Sequence, residues 1–339
     1  MNANAIPSGL VSVSDIVEAA ARVGAFAVRT PLVPAPALTA RAGVPVHLKC
    51  ENLQVGGAFK TRGAYNFLAR RAEEARARGV ITYSSGNHGR GVALAARALG
   101  ARAAVVVPVD IPRMKREALV AAGAEVVLEG RTSLERQRRA EAMARQSGAL
   151  TVPPFDDPDI IAGQGTVGLE IVQDLPEVAT VVVPVGGGGL VSGVAVAVKA
   201  RAPGARVIGV EPEGAASMAA SRAAGEPVTL DRVDTVADGL KPVRAGDLTF
   251  AHVQRFVDDL VTVSDDEILD AVALAFREWK LVLEPSGAAA AAAVHANRVA
   301  SLRGPVVVVL SGGNADPALY GEWLTRAAAS AGRASEAAR

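Results

Sequence analysis

The alternation of short apolar runs with helix-length segments limits what this chain can fold into more than any other feature. Strand-length runs at 80–83, 103–107, 125–128 and 150–152 are separated by helix candidates at 89–99, 113–122 and 133–146. A helical stretch at 160–174 follows, and then strand candidates at 180–185 and 206–210 flank a glycine run and a helix from Leu190. Strands alternating with helices of this length argue for parallel pairing, with helices covering both faces of the sheet. The run 306–310 reads Val-Val-Val-Val-Leu, the composition of a strand buried on both faces. The expectation is an open α/β architecture.

Caps and punctuation supply the remaining elements. Ser12, Ser14 and Asp15 offer N-caps for a helix through Val23, and Pro31, Pro34 and Pro36 mark a loop before a short strand at 46–50. A helix is expected over 62–78, stopped by Gly79. Ser264-Asp265-Asp266-Glu267 is a capping box opening a helix to about Trp279. Residues 327–339 read as a fraying tail.

Composition narrows the class of function. Among 339 residues the formal net charge is +1, which gives no electrostatic case for nucleic acid or an anionic membrane. The basic run 131–145 carries Glu135 and Glu141 four residues before Arg139 and Arg145, the pattern of an exposed, ion-paired helix face. Cys50 is the only cysteine, so no internal disulfide forms. No stretch approaches the ~20 apolar residues of a membrane span. A cytoplasmic protein is expected. His47, His88, His252 and His295 lie too far apart for the ligand spacing of a zinc site.

Chemistry gathers in four polar or glycine-rich segments placed where strands should end, and ligands of open α/β sheets bind beyond the carboxyl ends of strands. These are the turn before Lys60, Ser84-Ser85-Gly86-Asn87-His88, Gly186-Gly187-Gly188-Gly189, and Ser311-Gly312-Gly313-Asn314. The glycine run between a strand and a helix exposes amides that can surround a phosphate. It lacks the third glycine or alanine of a dinucleotide fingerprint and the Gly-Lys-Ser/Thr of a P-loop. Lys60, after Gly56-Gly57-Ala58-Phe59, has an apolar neighbour that favours a neutral, nucleophilic amine. A nucleophilic lysine together with a phosphate cradle suggests pyridoxal 5'-phosphate.

Lys49-Cys50-Glu51-Asn52-Leu53-Gln54, Phe59-Lys60-Thr61-Arg62-Gly63-Ala64, Ser84 to His88, Gly186 to Gly189 and Ser311 to Asn314 together resemble the threonine and serine dehydratases. These are fold type II pyridoxal-phosphate enzymes, the tryptophan synthase β-like group, which also includes serine racemases and hydroxyaspartate dehydratases. The resemblance implies two open, parallel-type sheets with helices on both faces. A large cofactor-binding domain of residues 1–68 plus 154–320 would join a small mobile domain of residues 69–153, and the enzyme would be a homodimer or homotetramer.

The resemblance also implies roles. Lys60 would hold the cofactor and, once released, move the substrate's α-proton. Phe59 would lie near the ring, Asn87 would meet its 3-hydroxyl, and Ser311 would face its pyridine nitrogen. Gly186, Gly187, Gly188, Gly189 and Leu190 would bind its phosphate. Ser84, Ser85, Gly86, Asn87 and His88 would grip the substrate carboxylate, with Glu284 as an acid near the cofactor. The implied reaction is elimination of the β-hydroxyl of L-threonine or L-serine to give a 2-oxoacid and ammonia. Three departures bear on this. Ala58 stands where many relatives have Ser. Ser85 matches the second acid/base of serine racemases, so racemisation is the main alternative, with 3-hydroxyaspartate dehydration beside it. Glu211, Ala215 and Ser217 match a racemase metal site, but Ser217 replaces an expected Asp, which weakens the claim to a cation. A non-catalytic amino-acid sensor would be expected to lose Lys60, Ser311 or the glycine run, and all are present.

Overall fold

Ten strands in two sheets carry the architecture of the computed structural model, which describes the backbone of residues 9–131 and 133–337 and all their side chains except 133, 134 and 328–337. In chain order they are β1 Leu32–Pro34, β2 Val46–Cys50, β3 Val80–Thr82, β4 Ala103–Val107, β5 Ala124–Leu128, β6 Leu150–Thr151, β7 Thr180–Pro184, β8 Arg206–Pro212, β9 Asp259–Val263 and β10 Val306–Leu310. One sheet has the order β1-β2-β10-β7-β8-β9, the other β5-β4-β3-β6. Every pairing is parallel except β1 with β2. The alternation of the sequence therefore resolves into two parallel systems, the smaller built wholly from residues 80–151.

The core lies where helices cover the larger sheet. β7 and β10 are buried along their whole length, and each fully buried valine there stabilises the fold by roughly 1.5–3 kcal/mol. Helices Pro158–Asp174 and Gly189–Arg201 cross at backbone distance, because a Cβ on Gly193 would fall 2.3 Å from the Ile161 carbonyl oxygen. Helix Lys60–Ala69 is held as closely: a Cβ on Gly163 would lie 2.6 Å from the Gly63 Cα. This contact explains the glycine three residues after Lys60. Among the described residues no helix is long and apolar enough to cross a membrane.

Some expectations need correction. The helix expected over 62–78 is two helices, Lys60–Ala69 and Ala72–Arg78. Arg70 and Arg71 both pair with Asp159, at 3.2 and 2.6 Å, and adjacent residues of an unbroken helix do not face the same way. The helix opened by the Ser264 capping box is α-helical over Asp265–Leu274 and widens into a π-turn at Ala275–Trp279. In the basic run, Glu141 does meet Arg145 at 3.9 Å, but Arg139 pairs with Glu129 while Glu135 accepts the Arg131 N–H. Of the tail 327–339, residues 327–337 have helical backbone as part of Pro317–Ala337, and 338 and 339 lie outside the described residues.

Candidate active site

All four chemistry-bearing segments leave the carboxyl ends of strands: β2 leads to Lys60, β3 to Ser84, β7 to Gly186 and β10 to Ser311. After β2 the chain makes two short 3₁₀ turns, with Gly56 and Gly57 at φ 78° and 75°, a left-handed conformation open to glycine. Ala58 then bridges Gly312, and the Phe59 N–H donates to the Ser311 carbonyl at 3.1 Å. Lys60 begins the next helix with its Nζ 5.2 Å from the Phe59 ring centroid, donating to the Pro154 carbonyl at 2.8 Å. No carboxylate pairs with Lys60 among the described residues. Burial lowers its pKa to about 8, so roughly a fifth of the amine is neutral near physiological pH, far more than for an ordinary lysine.

The turn is fixed from beneath by a buried ion network. Arg62, 1% exposed, donates to Glu51 through Nε at 2.7 Å and Nη2 at 2.8 Å, and to Glu170 through Nη1 at 2.6 Å. Lys49 donates to Glu170 at 2.6 Å and to the Thr30 carbonyl at 2.7 Å. Burial alone would raise the Glu51 pKa, but the Arg62 charge and its hydrogen bonds outweigh it and hold the carboxyl below its usual range.

The glycine run offers a cluster of unmatched donors. None of the N–H groups of Gly186, Gly187, Gly188, Gly189 and Leu190 reaches an acceptor among the described residues. Only Gly188 is required by its backbone angle, φ 93°. The others are required by close approach: a Cβ on Gly187 would sit 2.3 Å from a Phe155 ring carbon, and one on Gly186 3.2 Å from the Gly239 carbonyl oxygen. Orphan amides at a helix start suit a phosphate.

On the other side, Ser311 Oγ donates to the Ser286 carbonyl at 3.3 Å, and Ser286 Oγ accepts the Gly239 N–H at 2.7 Å, linking β10's end to the wall of the glycine run. Asn87 opens helix Asn87–Ala98 and donates to Glu284 at 2.5 Å; burial pushes the Glu284 carboxyl up to about 7. The N–H groups of Ser85, Gly86, Asn87 and His88 donate to no acceptor among the described residues, a second helix start with donors open to an anion. Ser84 and Ser85 are half-buried and Gly86 is exposed. The His88 side chain stands apart from this group. Its ring is buried against the Val152 carbonyl at 3.1 Å, and burial, then the Lys60 charge, push its pKa down to about 3. Only its backbone N–H is available to an anion, so the ring serves packing.

Some contributors were not visible in the sequence. Pro154 and Phe155 follow β6, and they bring an acceptor to Lys60 and an aromatic ring against Gly187. Asp156 takes the N–H groups of Asp247 and Thr249, and Thr249 Oγ1 donates to the Gly187 carbonyl at 2.7 Å, tying this crossover to the glycine run. The signal was two prolines and an aromatic at a strand's carboxyl end. Asn314, after β10, donates to Asn87 and accepts from Arg90, which lies one turn along the same helix as Asn87.

The proposed cation ligands behave differently. Glu211, at the end of β8, accepts the N–H groups of Met218 and Ala219 at 2.8 Å each, one on each carboxylate oxygen, and burial raises its pKa to about 7. Ser217 Oγ is buried with no partner, and Ala215 lies in the 3₁₀ turn before it. Among the described residues no three His, Cys, Asp or Glu side chains group as metal ligands. A single carboxylate with both oxygens engaged does not fit a tightly held divalent cation.

A readily neutralised amine, orphan amides at a helix start and a hydroxyl at the end of β10 do fit pyridoxal phosphate: the amine for its aldehyde, the amides for its phosphate. Comparison with known proteins agrees. The L-threonine ammonia-lyase of Thermotoga maritima is 43% identical over 96% of this chain and 80% of its own. The serine racemase of Arabidopsis thaliana is 40% identical over 89% of this chain and 92% of its own. The solved structure of threonine deaminase isoform 2 from Solanum lycopersicum superposes with a TM-score of 0.88 at 39% identity, covering 96% of this chain and 93% of that one. A family model described as pyridoxal-phosphate dependent enzyme matches residues 25–312, and this chain belongs to that family.

Proposed function

We propose that this enzyme converts L-threonine and L-serine to a 2-oxoacid and ammonia by β-elimination, with pyridoxal phosphate carried on Lys60. The observation that carries the reading is the Lys60 amine: half-buried, unpaired with any carboxylate among the described residues, lowered to about 8, and joined through Pro154 to Phe155, which packs against the glycine run with its orphan amides. The 43% identity to a threonine ammonia-lyase over most of both chains supports the substrate class. When bound, pyridoxal phosphate supplies an electron sink for the bonds at the amino acid's Cα. Lys60, freed from the aldehyde, takes the α-proton on Nζ. The N–H groups of Gly186 to Leu190 hold the phosphate. Ser311 presents a hydroxyl to the pyridine nitrogen; a neutral group does not hold that nitrogen protonated, and a weaker sink suits elimination better than transamination. Phe59 keeps the amine's surroundings apolar. Ser84, Ser85 and the N–H groups from Ser85 to His88 bind the substrate carboxylate.

The same reading divides the chain into a small domain of residues 69–153, which carries the carboxylate loop, and a large domain from the rest, which carries Lys60 and the glycine run. Closure of the first over the second would exclude water from the reaction. It also takes the enzyme to be a cytoplasmic homodimer or homotetramer. Steady-state assays of the holoenzyme with L-threonine, L-serine and 3-hydroxyaspartate test it, with deuterium at Cα of unreacted serine followed alongside. The expected result is one 2-oxoacid per ammonia from threonine or serine. Racemisation of serine at a comparable rate, lost selectively in Ser85→Ala, would replace this reading with serine racemisation, and a strong preference for 3-hydroxyaspartate would replace it with that dehydration.

A further inference from the structure

Asn87 and Arg90 lie three residues apart in the first turn of helix Asn87–Ala98 and so share one face. Asn314, from the segment after β10, bonds to both. Arg90 Nη1 donates to Asn314 Oδ1 at 2.6 Å; Asn314 Nδ2 donates to the Gly56 carbonyl at 2.7 Å and to Asn87 Oδ1 at 2.8 Å; Asn87 Nδ2 donates to Glu284 Oε1 at 2.5 Å. Gly57 keeps room for this amide, because a Cβ there would fall 2.4 Å from Asn314 Oδ1.

The direction of this relay is not arbitrary. An asparagine amide can exchange its oxygen and NH₂ ends with almost no change of shape, whereas a guanidinium only donates and a backbone carbonyl only accepts. Arg90 therefore demands the oxygen of Asn314, and the Gly56 carbonyl demands its NH₂. With Asn314 so turned, its second N–H meets Asn87, which must answer with its oxygen. Asn87 is left with its NH₂ toward Glu284, one N–H bonded and the other without an acceptor among the described residues. Glu284 cannot impose this direction by itself, because a carboxyl that titrates near neutrality both donates and accepts.

We propose that Arg90 and Asn314 are positioning residues that orient the Asn87 amide so that an N–H, and not its carbonyl oxygen, faces the cofactor's 3-oxygen. The inference rests on the reading of Asn87 as the partner of that oxygen. A donor there stabilises the deprotonated oxygen; an amide oxygen there stabilises the protonated one. The two forms of the lysine-bound cofactor absorb at different wavelengths, the protonated form at the shorter, so the balance of the two bands reports the orientation without reference to turnover.

Asn314→Asp keeps an acceptor for Arg90 but has no N–H for Asn87 or Gly56, so Asn87 should turn over. The holoenzyme is expected to move several-fold toward the short-wavelength band and to bind pyridoxal phosphate about tenfold more weakly, the effect of losing a charge-assisted hydrogen bond, with kcat falling more than KM. Arg90→Met should move the bands in the same direction by less, and Arg90→Lys, still a pure donor, should restore them. Asn87→Ala calibrates the scale. If Asn87→Ala shifts the bands while Asn314→Asp leaves them at the wild-type balance, the relay is overturned and the role of Asn87 stands. If Asn87→Ala leaves the bands unchanged, the role of Asn87 falls and the inference with it. Should Asn314→Asp fail to fold, the Arg90 pair decides: a shift in Arg90→Met recovered in Arg90→Lys supports the relay, and wild-type bands in Arg90→Met overturn it.

Discussion

Lys49 and Lys60 stand on either side of one turn, the first fully buried and the second half-buried, yet their partners suit them to opposite tasks. Lys49 is fully buried against Glu170 and the Thr30 carbonyl, inside a network whose other cation is Arg62. Lys60 has a backbone carbonyl and an aromatic ring for company, and burial without a counter-charge lowers its pKa to about 8. The lesson is that burial alone does not make a lysine reactive. A carboxylate beside a buried amine turns it into structure, and withholding the carboxylate turns it into chemistry. The network also sets the position of the Lys60 amine, since Arg62 is two residues beyond Lys60 on the same helix and is clamped to Glu51 and Glu170.

The comparison can be broken most directly at Lys60. Lys60→Ala should lower elimination on the order of 10⁴-fold and remove the visible absorbance of the bound cofactor. Compared in the cofactor-free forms, its midpoint of thermal unfolding should be little changed or raised, because a buried amine without a counter-charge adds at most its one hydrogen bond to Pro154; a large drop there would make Lys60 structural after all. Arg62→Met is the reverse case. It leaves Glu51 and much of Glu170 uncompensated and should cost about 3–5 kcal/mol of stability in denaturant unfolding. Adding Glu51→Gln should recover part of that loss, and additive effects of the two changes would deny their coupling. The smallest effect sharpens the contrast. Cofactor-free protein should capture pyridoxal phosphate through the neutral Lys60 amine, whose fraction grows about tenfold per pH unit below its pKa and then levels off. Stopped-flow capture should accelerate up to pH about 8 and flatten above it. A rate still climbing toward pH 10.5, the value of an unperturbed lysine, would place the amine in water.

Much of this site could be read from residues alone, for a physical reason. Strand ends and helix starts are local events, and β2, β3, β7 and β10 each deliver a short, recognisable segment within a few residues of their last buried position. The glycine run was legible because few other residues let amides stand open at a helix start. What escaped depends on contacts made far along the chain. The Pro154 carbonyl reaches Lys60 across 94 residues, and Arg90 reaches Asn314 across 224. The His88 ring could have faced the substrate or the core, and only the packing of β6 beside β3 turned it onto Val152. The break after Ala69 was hidden for the same reason, since Asp159, which draws both arginines to one side, lies 88 residues from Arg71.

The sequence by itself determined the parallel α/β arrangement, the four segments at strand ends and the amine beside a phosphate cradle, because periodicity and glycine placement act over a few residues. Tertiary structure alone decided which of the two lysines meets a counter-charge. Glu170 stands 121 residues from Lys49 and lies on helix Pro158–Asp174; the packing of that helix against Gly63 brings its carboxylate to Lys49 and Arg62 and leaves Lys60 to Pro154.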